Sequence, residues 1–271
     1  MNLPPNHHAQ VLGSPWPGIH VTEIVSGRHY GRHWHTTHGV GLLAQGAQRS
    51  ASGRGVVDAL AGDVITTNPG EVHDGRPLGA PSRHWCMLYF DPGRLAALAG
   101  ESGDIELCQP VIHDLCLRAT LQRVFRRLAR WRTGAAEAGA CEEALARCCE
   151  LLLGRHATLA APPRDIGADM RRVRERLADE SANSPTLAAL AAEAGCSPWQ
   201  LLRRFESACG LTPHAWLVQR RVEQARQRIA DGIALAQVAA DCGFADQSHL
   251  TRQFVRHLGY TPGAWRRVVV Q

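Results

Sequence analysis

Hydrophobic positions change their period along this chain, and the changes divide it. Between residues 19 and 90 they come in short β-type runs, Ile19–Val25, Val40–Ala44, Val56–Leu60, Asp63–Thr67 and Trp85–Phe90. Turn-forming Ser26-Gly27, Ala61-Gly62-Asp63 and Asn68-Pro69-Gly70 separate them, a spacing that predicts an all-β barrel or sandwich. From Val111 the period becomes helical: Leu117, Leu121, Val124, Leu128 and Trp131 follow one another at alternating steps of four and three. After Thr133-Gly134, residues Cys141, Leu145, Cys148 and Leu152 repeat that spacing, so residues 111–156 are expected to form a helical hairpin. Its apolar stripe can pack on its own domain or on a second copy of the chain, and the pattern leaves both open. Residues 157–168 contain Pro162-Pro163 and no apolar period, which marks a linker. Beyond it every stretch reads as helical, the first helix starting with Asp169 as N-cap and burying Met170, Val173 and Leu177.

The last third of the chain is duplicated. The segment from Leu187, LAALAAEAGCSPWQLLRRFESACGLTPHAW, matches the one from Leu235, LAQVAADCGFADQSHLTRQFVRHLGYTPGAW. Each copy has a short Ala-rich helix, a Gly where the chain must reverse, and a second helix with one apolar and one polar face, the design of a helix-turn-helix. Gly195 and Gly243 are expected at positive φ. Leu201/Phe205 and Leu250/Phe254 are expected to anchor the inner face of each second helix. The outer faces then offer Ser197, Trp199, Gln200, Arg203 and Arg204 in the first unit, and Asp246, Gln247, Ser248, His249, Arg252 and Gln253 in the second. Arg can read guanine and Gln adenine, while Ser and His reach phosphate. Solvated faces of a helical bundle would look similar in one copy; two matched copies favour binding to double-stranded DNA. Between them, Pro213–Ile229 is expected to form a connecting helix, capped by Thr212, that sets the two units near one turn of DNA apart.

Composition adds less. All thirty basic residues are Arg; fifteen of them lie in residues 164–271 against eleven acids, compared with fifteen against fourteen in the first 163. The excess is modest but sits with the duplicated segment, as a nucleic-acid binder requires. Nine cysteines without a C-x-x-C pair exclude a zinc ribbon and a regular disulfide framework. Adjacent Cys148 and Cys149 invite a redox reading, but buried thiols acting as small apolar residues are the expectation. No apolar run is long enough to span a membrane and no secretory signal is read at the N-terminus, so a soluble cytoplasmic protein is expected.

Residues 169–267 resemble the DNA-binding domain of the AraC/XylS family, most clearly over GFADQSHLTRQFVRHLGYTPGAWRR. The segment departs from the family pattern with Leu250, Trp265 and Glu206, where Phe, Tyr and a basic residue are usual. The segment from Gly27, with His33-x-His35, and GDVITTNPGEVH ending at His73 resemble the cupin motifs of that family's effector-binding domains. The resemblance implies a two-domain α+β chain: a cupin-like effector-binding β-barrel over residues 1–110 with the hairpin behind it, then an all-α double helix-turn-helix over 169–267, its units at about 187–208 and 235–258. His33, His35, His38 and His73 are the candidate effector-pocket residues. Metal-bearing cupins carry a Glu after the His-x-His that is missing here, so no cofactor is expected; were a divalent metal present, His33, His35 and His73 would be its ligands. The implied function is a ligand-responsive transcription regulator, an activator contacting RNA polymerase, acting as a homodimer. A metal-dependent cupin enzyme fused to a DNA-binding module is the alternative, and a helical adaptor that binds no DNA is a third reading.

Overall fold

The computed structural model describes residues 7–100, 103–161 and 165–270. Cα proximity divides the chain into two compact units, residues 35–162 with the segment before residue 30, and residues from 163 onward with the segment 30–34. No helix among the described residues is long and apolar enough to cross a membrane.

The N-terminal half is built from strands β1 (His7–Leu12), β2 (Ile19–Ser26), β3 (Tyr30–His33), β4 (His38–Gln45), β5 (Ala47–Ser52), β6 (Gly55–Leu60), β7 (Val64–Thr67), β8 (His73–Pro77) and β9 (Arg83–Phe90). They are followed by α1 (Arg94–Ala99), β10 (Ile105–Leu107), β11 (Val111–Ile112), α2 (Leu115–Arg132), α3 (Ala138–His156) and β12 (Ala157–Leu159). The strands pair as a six-stranded sheet, β1-β2-β9-β4-β7-β11, a four-stranded sheet, β3-β8-β5-β6, and the small pair β10-β12. Two separate ladders replace the closed barrel that was one expectation, while the cupin-type β architecture stands. All five expected strands are present. Those not foreseen are polar or short: β5 reads AQRSAS, half-buried throughout, and β8 reads HDGRP, so neither carries an apolar alternation.

One face of the six-stranded sheet closes on the helical hairpin. Val21, Val40, Leu42, Val64, Leu88 and Phe90 share a core with Leu117, Leu121, Val124 and Leu128 of α2 and Cys141, Leu145, Cys148 and Leu152 of α3. Of the two destinations open to the apolar stripe, its own domain takes it. Two boundaries differ from expectation. Residues 111–112 are a strand paired with β7, and the helix waits for Asp114, whose carboxylate accepts from the Cys116 and Leu117 amides. Ala157–Leu159, at the start of the expected linker, pair with β10 instead; residues 162–164 of that linker lie outside the described residues.

The C-terminal unit is all helical: α4 (Ala168–Asp179), α5 (Leu187–Glu193), α6 (Pro198–Cys209), α7 (Pro213–Ala230), α8 (Leu235–Asp241), α9 (Gln247–Leu258) and α10 (Pro262–Val269). The first of these is capped by Gly167 rather than Asp169, which sits inside the first turn facing Arg172 (2.6 Å) and Arg204 (3.2 Å). Met170, Val173 and Leu177 are buried with Leu190, Leu201, Phe205 and Leu217 in one core. The second helix-turn-helix has its own buried set, Val238, Leu250, Phe254, Tyr260 and Trp265. Burying each such large side chain contributes about 1.5–3 kcal/mol. The connecting helix α7, capped by Thr212 with Pro213 at its first position, packs on helices of both units. Its Arg221 donates to the carbonyls of Ser181 (2.6 Å) and Ala182 (3.2 Å) and to Ser184 Oγ (2.7 Å). Its Arg226 carbonyl accepts from Trp265 Nε1 at 2.9 Å.

Candidate nucleic-acid interface and histidine cluster

Each helix-turn-helix is set by a glycine. Gly195 has φ 60° and Gly243 φ 72°, the left-handed values the reversal demands. Ser197 then starts α6 with a reciprocal cap, its hydroxyl accepting from the Gln200 amide while Gln200 Oε1 accepts from the Ser197 amide. Leu201 and Phe205, one turn apart, are fully buried. That orientation turns Trp199, Arg203 and Arg204 outward. Trp199 is 63% exposed, unusual for so large an apolar side chain, and the Arg203 guanidinium lies 4.7 Å over its ring. A groove of about 660 Å³ runs along this face, lined by Trp199, Gln200, Arg203, Arg204 and Met170.

In the second unit Asp246 caps α9, its Oδ1 accepting from the His249 amide at 2.6 Å. His249 lies edge-on to the Phe244 ring with centroids 5.4 Å apart, and its Nδ1 accepts from the Ala245 amide. Leu250 and Phe254 are fully buried, leaving Gln247, Ser248 and Arg252 exposed and Gln253 half-buried. None of the eleven side chains named from the sequence is buried. They divide, however, into two classes. Ser197, Gln200 and Asp246 hold helix ends, and His249 braces the turn; Trp199, Arg203, Arg204, Gln247, Ser248, Arg252 and Gln253 face outward from the two second helices. A capping role was legible at Ser197, three residues before Gln200, in the sequence spacing. The ion pair of Arg204 with Asp169, from a helix outside the duplicated unit, was not.

In the N-terminal half, His33 ends β3, His35 follows two residues on, and His73 opens β8, the neighbouring strand. The His35 and His73 rings lie 5.3 Å apart, while His33 belongs by Cα proximity to the other compact unit. His38 stands apart from them: it is buried at the start of β4, with Nε2 2.8 Å from the Ile105 carbonyl, so of the four expected pocket histidines the structure brings His35 and His73 together and leaves His38 aside. Its burial outweighs that hydrogen bond and holds its pKa below the usual imidazole value. Two aromatic neighbours were missed. The Tyr89 ring lies 5.7 Å from that of His35 and stacks on His20 at 5.1 Å. His20 and Tyr89 are cross-strand partners of β2 and β9, a pairing that only the register reveals. Gly39, opposite Tyr89 on β4, makes room: a Cβ there would lie 2.5 Å from Thr67 Oγ1 and 3.1 Å from the Tyr89 ring.

Comparisons with known proteins bear on both domains. A model of the AraC-like ligand binding domain matches residues 20–148 and a helix-turn-helix domain model matches residues 190–268. The HTH-type transcriptional regulator YbfI of Bacillus subtilis is 24% identical over 224 residues, 80% of each chain. The HTH-type transcriptional activator RhaR of Escherichia coli K12 is 28% identical over 121 residues, 44% of this chain and 43% of that one. Among solved structures, apo ToxT from Vibrio cholerae superposes with a TM-score of 0.55 at 11% identity, covering 95% of this chain and all of that one (100%). ToxT bound to an unsaturated fatty acid gives 0.52 at 10% identity, covering 100% and 98%. These last two speak for the fold. The sequence relatives are regulators, so the expectation of a regulator rather than an enzyme is borne out. With a ligand-binding domain of AraC type in its first half and a paired helix-turn-helix in its last third, the chain belongs to the AraC/XylS family of transcription regulators.

Proposed function

We propose that this regulator grips double-stranded DNA through α6 and α9, and that a small molecule held in the N-terminal half sets the strength of that grip. The observation that carries the reading is the matched pair of second helices, each anchored inward by a Leu-Phe pair and each presenting an outward Arg with amide or hydroxyl neighbours. Arg203, steadied by Trp199, reads a base edge, for which the planar guanidinium is suited to guanine; the Trp199 ring covers a thymine methyl or sugar beside it. Arg204, Ser248 and Arg252 supply phosphate and further base contacts.

The test uses DNA fragments that the full-length protein selects from a random double-stranded library. Arg203→Ala is expected to cost about 1–3 kcal/mol and to relax selectivity at one base pair, and Arg252→Ala to weaken binding and flatten the salt dependence by about one unit of slope. Unchanged affinity in both variants would overturn the proposal in favour of a helical adaptor.

The input side rests on half-buried His35 and His73, their rings 5.3 Å apart, with Tyr89 beside His35, a small number of directed polar groups inside a β domain. ToxT takes a fatty acid and RhaR is an activator; by analogy this chain answers an effector, activates through RNA polymerase and works in the cytoplasm. Pairing with a second copy is part of the same reading. The hairpin stripe is spent on its own core, so the surface available for it lies beside α3, where exposed Leu98 and Leu159 border a groove of about 460 Å³.

A further inference from the structure

Helix α2 is unusual in its charge: between Leu115 and Arg132 it carries six arginines and no acid. Arg123 and Arg127, and again Arg126 and Arg130, stand one turn apart, where like charges repel. Arg118 lies in the first turn, where the positive end of the helix opposes a cation. None of the six has an ion-pair partner among the described residues.

Two of these arginines border a cleft that lies wholly within the N-terminal unit. Arg118, Gln122 and Arg126 recur every four residues and share one face of α2, with the half-buried Phe125 ring beside them. Leu42, Leu43 and Ala44 of β4 and the Ala61-Gly62 turn complete the lining, and the cleft measures about 570 Å³. The turn positions the first arginine. Gly62, at φ 100°, donates its amide to the Leu43 carbonyl at 2.7 Å, and a Cβ there would lie 2.7 Å from Arg118 Nη1. The absent side chain lets the guanidinium lie against the turn backbone. Half-buried in that place, Arg118 makes no hydrogen bond among the described residues, so its planar set of donors is held at the cleft without an acceptor. Arg126 uses only Nε, on the Gln122 carbonyl of its own helix at 3.3 Å.

The acids closest to this lining are engaged elsewhere. Asp63 lies 2.8 Å from His113 Nδ1 and accepts from the Leu60 amide at 2.7 Å, and Glu23 lies 2.9 Å from His84 Nε2. Cys86 also lines the cleft, but burial pushes its thiol up to about 12, so it adds no negative charge.

We propose that this cleft binds a small organic anion, its carboxylate, phosphate or sulfonate head held by Arg118 and Arg126 and its apolar body resting on Leu42, Ala44 and Phe125. Guanidinium groups meet such heads with paired N–H donors in one plane, and Gln122 between them supplies an amide. The volume sets the size of the body, since a cleft in the ordinary range of small-molecule sites takes one or two rings and not a polymer. Bound charge offsets the repulsion along α2 and so stabilises the helix it sits on. The site is separate from the histidine pair: Leu88 and Phe90 face α2, so Tyr89 between them, with His35 beside it, lies on the other side of the sheet.

The experiment follows the fluorescence of anilinonaphthalenesulfonate with the full-length protein, beside N-phenylnaphthylamine, the same ring system without the sulfonate. Expected are saturable binding of one sulfonate per chain and binding of the neutral probe about tenfold weaker, the loss of one charge-assisted contact. Arg118→Gln and Arg126→Gln each weaken sulfonate binding about tenfold. Ala44→Phe fills the cleft with every charge kept and abolishes binding, while Arg123→Gln, on the same helix outside the cleft, leaves it unchanged. All four variants keep the thermal transition of the parent without probe, and added sulfonate raises that transition in the parent but not in Arg118→Gln. Absence of saturable binding, equal binding of the two probes, or binding that survives Arg118→Gln, Arg126→Gln and Ala44→Phe overturns the proposal. So does an Arg123→Gln variant weakened as much as Arg118→Gln, which would mark a diffuse attraction to the helix and no site.

Discussion

At the scale of single residues, identical letters in the two repeats do unequal work. Gly195 and Gly243 occupy equivalent turns at positive φ, yet a Cβ on Gly195 meets nothing within 4 Å, while one on Gly243 would sit 2.6 Å from the Ala182 carbonyl. Gly195→Ala is therefore expected to cost about 1–2 kcal/mol, the backbone penalty alone. Gly243→Ala adds a steric clash against backbone and should cost about 2–4 kcal/mol in urea unfolding of the full chain. The positive φ at both positions was legible from the pattern; the clash at one was not, because Ala182 comes from a loop outside the repeat. Histidines divide in the same way. His33 ends β3 and His35 lies beyond it, while His38 opens β4, and only the chain path shows it bonded to Ile105. Cys148 and Cys149, whose thiols burial pushes up to about 12, sit in the core as small apolar residues do.

At the scale of elements, termini and clamps decide stability. The carboxyl of Asp114 at the start of α2 is hydrogen-bonded by His156 and by the Leu117 and Cys116 amides, which hold its pKa down to about 2, against about 3.9 when unfolded. A carboxyl depressed in the folded state stabilises it fully above the unfolded value and loses that effect as pH falls through the folded one. Stability should therefore decline between about pH 4 and 2. Asp114→Asn, which still caps the helix, should remove that part of the acid dependence in thermal melts across the same window. The connecting helix offers a second case. Replacing Arg221 by Met leaves the Ser181 and Ala182 carbonyls without their donor and is expected to cost about 2–4 kcal/mol. Loss of that clamp should lower DNA affinity by more than its lost charge alone explains, which a comparison with Arg220→Met reads out.

At the scale of the molecule, the duplicated units and their connector make a prediction about DNA. Helix α7 has 18 residues, or about 27 Å of axis, and both helix-turn-helix cores pack on it. A single chain is thereby expected to protect two patches about 10 base pairs apart on one side of the duplex. Hydroxyl-radical footprinting checks this; one protected patch per chain would mean that only one unit engages. The charge division points the same way, since the excess of Arg lies in the C-terminal third, and binding should weaken steeply with salt.

What the amino-acid order determined by itself was local and repeated: the helical period of α2 and α3, the paired units of α5–α6 and α8–α9, their glycines and their Leu-Phe anchors. These follow from side-chain periodicity and backbone sterics, which act over a few residues and can be read wherever the pattern recurs. Tertiary structure decided what depends on distant partners. It split the strands into two ladders, drew Ala157–Leu159 into a pair with β10, and spent the hairpin stripe on its own core. It also took Asp169 from cap to ion-pair partner of Arg204 and brought His35 beside His73 while bonding His38 to the Ile105 carbonyl. Each of these is a choice between surfaces of similar polarity, and the choice is made by strand register and close packing, which no short window of sequence contains.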